Sequence, residues 1–174
     1  SAGLAILGEV VFNAQYGSLT SDQAAYNPYH YRVSITDDFL SILPGVFTDS
    51  HFNDRGRLGR LAVMLARRNQ DFEEDLLGIG VEYKTAFCID ENMIGTVHGK
   101  MVTIIHQTDS SEIQCIINEP PRFTNILFNQ LLDGVQYSLE TREVIAYGNW
   151  IEPFESEVIT APVFTQLTLN GSES

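Results

Sequence analysis

Thr48-Asp49-Ser50-His51-Phe52-Asn53-Asp54-Arg55-Gly56-Arg57-Leu58-Gly59-Arg60 is the stretch on which the reading of this chain turns. Just before it, Leu43-Pro44-Gly45-Val46-Phe47-Thr48-Asp49 reads as a turn followed by a short strand. Just after it, Leu58, Leu61, Ala62 and Leu65 recur at the i, i+3, i+4, i+7 spacing of a helix with one buried stripe. Asn53 or Asp54 is placed to cap that helix, and Arg67 and Arg68 stand near its C-terminal end, where the dipole favours cations. A strand that ends in His and turns into a helix predicts an α/β fold. In such folds, loops at the C-terminal ends of strands open on the ligand crevice.

The charge distribution sharpens this. The 174 residues carry 10 Lys plus Arg against 23 Asp plus Glu, a net charge of −13, with 44% hydrophobic residues. That composition supports one globular domain and excludes disordered or low-complexity classes. The acidity argues against a nucleic-acid or anionic-membrane binder, which needs a basic face. Yet Arg55, Arg57, Arg60, Arg67 and Arg68, half of all the positive charge, fall within 14 residues. Arg67 and Arg68 are explained by the helix C-terminus. Arg55, Arg57 and Arg60 lie where a helix N-terminus is already positive, so unpaired cations there cost stability. Either acidic neighbours such as Asp49 and Asp54 neutralise them, or they face an anionic ligand.

The rest of the chain supplies the frame. Residues 2–12 are expected to be helical, with Leu4, Leu7 and Val11 at helical spacing. Residues 13–38, with Tyr16, Tyr26, Tyr29 and Tyr31 around Asn27-Pro28, are expected to form a long surface loop. Leu77 to Ile89 reads as a strand, a close approach at Gly78 and Gly80, and a second strand. Short strands are expected at 102–105, 113–117, 136–139 and 144–147, with turns at Gly95, Gly99, Asp133-Gly134 and Gly148-Asn149 and a helix near Asn125 to Leu132. Leu167 to Ser174 reads as a loose tail, and no repeat or linker divides the chain. Cys88 and Cys115 lack metal-site spacing and are expected to be buried, inert thiols, which leaves the compartment open.

His51 is the candidate for proton transfer, since its ordinary pKa is near neutrality; the alternative is a histidine that hydrogen-bonds in the core. A metal site built on Asp49 and His51 lacks a third ligand of suitable spacing. The chain also starts on Ser1 and runs at once into apolar residues. A trimmed initiator accounts for that start, and so does cleavage of a precursor. Ser1-Ala2-Gly3 opening a helix suits a nucleophile on a strand-to-helix turn, with the Ala2 N–H as an oxyanion donor.

Three segments together resemble the cyanophycinases and related aspartyl dipeptidases, serine peptidases with a class I glutamine amidotransferase-like fold. The family pattern places its serine in Gly-Thr-Ser-Ala-Gly-Ala, follows Asp-x-His-Phe with spaced arginines, and has a Gly-Ile-Gly-Ile-Asp-Glu-x-Thr-Ala segment. Here these stand as Ser1-Ala2-Gly3, as Asp49-Ser50-His51-Phe52 with Arg55, Arg57 and Arg60, and as Gly78-Ile79-Gly80-Val81-Glu82-Tyr83-Lys84-Thr85-Ala86. The resemblance implies a three-layer α/β sandwich around a mostly parallel sheet, β-rich toward the C-terminus. Residues 1–174 would be the C-terminal portion of one domain whose sheet is completed by an N-terminal chain of the same precursor. It implies Ser1 as nucleophile, His51 as its base, and Asp49, Ser50, Arg55, Arg57 and Arg60 near a peptide or isopeptide substrate with a free carboxylate, of the β-Asp-Arg type.

One departure stands out. The family's third triad residue, the Glu after Asp, falls on Tyr83 in this chain, with Glu82 one place earlier. Adjacent strand residues point to opposite faces, so Glu82 serves only if the backbone there leaves the strand; otherwise Tyr83, a backbone carbonyl or no group at all orients His51. The expected activity is therefore a serine-type peptidase without cofactor or metal, formed by autoproteolysis before Ser1. The alternative is a degenerate relative that binds or processes itself and has lost peptidase activity. Dimerisation is left open, and any export signal would lie upstream of Ser1.

Overall fold

The structure is a computed structural model that describes residues 1–148 and 157–159. Its spine is β3 (Leu43–Ser50), in which Val46 through Ser50 are all buried, as expected of a strand covered on both faces. β3 pairs in parallel with β1 (Gly8–Phe12) on one side and β4 (Leu77–Val81) on the other. Beyond β4 the sheet continues antiparallel through β7 (Met101–His106), β10 (Ile126–Leu132) and β13 (Glu157–Ile159). Beyond β1 it closes with the two-residue antiparallel β2 (Ile35–Thr36). The parallel run is thus β1, β3 and β4 within a mixed sheet.

Alternation along the strands gives the sheet two buried faces. Phe47 and Ile105 pack with Leu61, Met64 and Leu65 of α3 (Leu58–Phe72), beside α2 (Ser21–Tyr26). Their neighbours Val46 and Ile104 face the other way, toward Val97, Val135 and Tyr137. That opposite layer is an antiparallel sheet in the order β12 (Glu143–Ala146), β11 (Gln136–Ser138), β6 (Ile94–His98), β5 (Ala86–Ile89). A ribbon of β8 (Glu112–Gln114) and β9 (Arg122–Thr124) lies beside α3.

Several expectations are corrected. Residues 2–12 are not one helix: only Ala2–Ala5 is helical (α1), and Gly8–Phe12 is strand. A Cβ on Gly8 would stand 2.6 Å from the Val46 carbonyl oxygen, so glycine permits this close β1–β3 approach, and the β-branched Val10-Val11 pair suits a buried strand. The helix expected near Asn125 to Leu132 is β10, since pairing with β7 outweighs the helical preference of its leucines. The loop expected at 13–38 contains α2, which starts with a reciprocal capping box between Thr20 and Gln23, and β2. The turn expected at Leu43 to Gly45 is absorbed into β3, and Gly95 lies inside β6, where a Cβ would strike the Phe87 ring at 2.1 Å. Cys88 is exposed, whereas Cys115 is buried and its thiol is pushed up to about 12, chiefly by burial. Asn149 and the tail from Leu167 lie outside the described residues.

Gly78 and Gly80 have a packing explanation. A Cβ on Gly78 would lie 2.7 Å from Leu65 Cδ1, and one on Gly80 would lie 2.4 Å from the Phe52 ring. Bare backbone on β4 therefore admits α3 and the turn that carries His51. Among the described residues, no helix is long and apolar enough to cross a membrane.

Candidate active site

The site lies at the C-terminal ends of β3 and β4. Helix α3 does not begin at Asn53 or Asp54 as expected; its N-cap is Arg57, without a side-chain cap bond, and residues 51–56 form turns. The reason is backbone conformation: His51 has φ +48° and Gly56 has φ +56°, both left-handed and incompatible with a helix through this segment. A left-handed histidine immediately after a buried strand is held there by its neighbours. The Phe52 N–H donates to the Val81 carbonyl at 3.3 Å, the Arg55 N–H to the His51 carbonyl at 3.2 Å, and the Arg57 N–H to the Phe52 carbonyl at 2.8 Å.

The three arginines separate into different roles. Arg60 is buried and grips Asp49 with a fork, Nε to Oδ2 at 2.7 Å and Nη2 to Oδ1 at 2.5 Å, and its Nη1 donates to the Leu19 carbonyl at 3.1 Å. This is the neutralised case: a buried pair with both partners satisfied. Arg57 donates from Nη1 to the Ser50 carbonyl at 2.6 Å and lies 3.3 Å from Asp49 Oδ1. Burial and then the Arg60 cation lower its pKa, and Asp49 only partly offsets them, so an added anion would relieve it. Arg55 is exposed and makes no ion pair among the described residues. All three line a pocket of about 370 Å³ together with Ser1, Ala2, Asp49 and Ser50.

Ser1, one of the residues lining that pocket, directly precedes α1 and makes no side-chain cap bond. Its Oγ lies 3.0 Å from Ser50 Oγ. The short helix behind it is tied to β3 by Thr48, whose hydroxyl donates to the Leu4 carbonyl at 2.7 Å. A second pocket of about 270 Å³ shares Ser1 and Ser50 with the first and is lined also by His51, Glu82, Leu4, Leu7 and Phe87. The structure thus brings Ser1, Ala2, Asp49, Ser50, His51, Glu82 and the arginines into one region.

It does not assemble a closed triad. The His51 imidazole makes no hydrogen bond to Ser1 or Glu82 among the described residues; its Nδ1 lies 3.4 Å from Asp54 Oδ2. Glu82 leaves the strand, since β4 ends at Val81, but its carboxylate accepts the Asn53 N–H at 3.1 Å and the Tyr83 N–H at 2.7 Å. It braces the turn two residues beyond His51. Tyr83 stacks on the imidazole with ring centroids 5.7 Å apart and planes 20° from parallel. Sequence reasoning gives Asp54 only the roles of cap and neutraliser; its three-residue separation from His51 in a turn is the signal for the contact. Phe12, Ala14, Gly17 and Ser18, which wall the arginine pocket, carry no sequence signal of that role. Among the described residues, no group of three His, Cys, Asp or Glu side chains could hold a metal.

The chain is 32% identical over 148 residues to the cyanophycinases of Synechococcus elongatus and Thermosynechococcus vestitus, which covers 83% of this chain and 42% of each relative. The chain resembles the cyanophycinases. It is likewise 32% identical over 110 residues to the cyanophycinase of Trichormus variabilis, 61% of this chain and 35% of that one. The cyanophycinase-like segment thus spans about two fifths of the first relatives' length. No family model matches the chain.

Proposed function

We propose that the protein is a serine-type peptidase that cleaves aspartyl or isoaspartyl bonds, of the β-Asp-Arg type, through an acyl-enzyme on Ser1. The observation that carries this is that Ser1 lines two pockets, one shared with Arg55, which makes no ion pair among the described residues, and the other with His51. Ser1 Oγ attacks the scissile carbonyl, its proton passes to His51, and the Ala2 N–H donates to the oxyanion. Collapse expels the amine, which takes the proton from His51; water then repeats the sequence and frees Ser1. Arg55 and the Arg57 N–H groups that make no hydrogen bond among the described residues hold the substrate carboxylate, while Asp49 and Arg60 keep that wall in place. A second oxyanion N–H would come from the N-terminal part of the precursor that the resemblance implies.

The test is hydrolysis of β-aspartyl-arginine beside its α-linked isomer, followed by chromatography of free aspartate and arginine. The proposal expects release from the β-linked dipeptide by the wild type and none by Ser1→Ala. Equal release by both would overturn it.

A second reading, a relative that binds without turnover, is favoured by the engagement of Glu82 with two backbone amides and by the long His51–Asp54 contact. It expects calorimetric binding of the β-linked dipeptide with no product.

A further inference from the structure

We infer that Ser50 is a positioning residue for Ser1, holding the nucleophile's hydroxyl on the divide between the two pockets. This rests on the reading of Ser1 as nucleophile. Ser50 is the last residue of β3 and is 6% exposed. Its backbone is pinned at both ends: the N–H donates to Asp49 Oδ1 at 2.8 Å, and the carbonyl accepts from Arg57 at 2.6 Å. Asp49 is fixed in turn by the Arg60 fork. Ser1 is the opposite kind of residue, exposed, at the start of a four-residue helix, with no cap bond for its side chain. Such a serine samples three rotamer wells. The 3.0 Å contact to Ser50 selects one, and both residues line both pockets.

The hydrogen bond has a productive direction. When Ser50 O–H donates to Ser1 Oγ, the Ser1 proton stays available to a base. As that proton leaves, the Ser50 donor stabilises the charge developing on Ser1 Oγ; Ser50 keeps its own proton throughout. A substrate contact by Ser50 would act on binding, whereas a positioning role acts on the chemical step. The two are separable in kinetics.

The experiment measures turnover of β-aspartyl-arginine and the rate of Ser1 labelling by a fluorophosphonate in wild type, Ser50→Ala and Ser50→Thr. Loss of one hydrogen bond predicts a fall in kcat and in labelling rate of about ten-fold or more for Ser50→Ala, with KM within about two-fold of wild type. Ser50→Thr, which keeps the hydroxyl and suits a strand, should recover most of the loss. Should Ser50→Ala fail to fold, Ser50→Cys, a near-isostere with a weak donor, should show the same split. Unchanged kcat and labelling, or a rise in KM alone, overturns the role of Ser50 while leaving Ser1 as nucleophile. A wild-type enzyme that neither turns over nor labels at Ser1 overturns both.

Discussion

The C-terminal ends of β3 and β4 and the four-stranded β5–β6–β11–β12 layer bury their residues on opposite terms. At the strand ends the buried groups are Asp49, Ser50, Arg60 and Glu82, and each has named polar partners. In the four-stranded layer they are mainly apolar, Val97, Val135 and Tyr137 set against Val102, Ile104 and Leu131, with Ser138 as a buried polar member. Burying a charge costs several kcal/mol unless it is paired, so the first region depends on particular partners and the second mainly on volume and pattern. Left-handed residues occur in both. Lys84, Met93 and Arg142 lie in connections next to strands of the four-stranded layer, whereas His51 sits between two pocket-lining segments. The difference teaches where chemistry can reside: a fold keeps expensive polar burial and an unusual backbone together where something beyond packing needs them.

That contrast can be broken from either side. The largest expected effect is on turnover. His51→Asn, chosen because Asn tolerates a left-handed φ, should cut kcat roughly 100- to 10,000-fold without shifting thermal unfolding; retained turnover removes His51 from the mechanism. Next, Asp49→Ala strands the buried Arg60 cation and should cost about 3–5 kcal/mol in urea unfolding. A loss below about 1 kcal/mol would show that the pair is not the support described here. Gly80→Ala drives a Cβ into the Phe52 ring and should cost about 1–3 kcal/mol, with a fall in kcat because Phe52 follows His51. Arg55→Ala should raise KM for carboxylate substrates about ten-fold and leave stability unchanged. An unchanged KM would return that arginine to the solvated surface. The smallest effect belongs to the apolar side: Ile104→Val should cost about 0.5–1.5 kcal/mol and leave kinetics alone.

The strand that stops just before His51 was legible because its apolar run ends at a polar cluster followed by a helical stripe. The arginine cluster was legible as a group, but its division was not. Arg60 is consumed by Asp49, eleven residues away, and no local pattern distinguishes it from Arg55. The start of α3 was misread because Asn53 and Asp54 are good cap residues, while the turn after the left-handed His51 is tied by Phe52 to the distant Val81 carbonyl. β1 and β10 were misread for a common reason. Leu4, Leu7 and Val11, and the leucines of 126–132, satisfy a helical spacing, but pairing with β3 and with β7 overrides it. The role of Glu82 was legible only as a question of strand geometry. The strand does end before it, yet the carboxylate turns to backbone amides rather than to the imidazole.

The most direct test of the central claim is peptide-mapped mass spectrometry after reaction with a fluorophosphonate. The expected result is a single adduct on Ser1, absent in Ser1→Ala and slowed in His51→Asn. An adduct on Ser50 alone, or none at all under conditions in which the protein is folded, would contradict it.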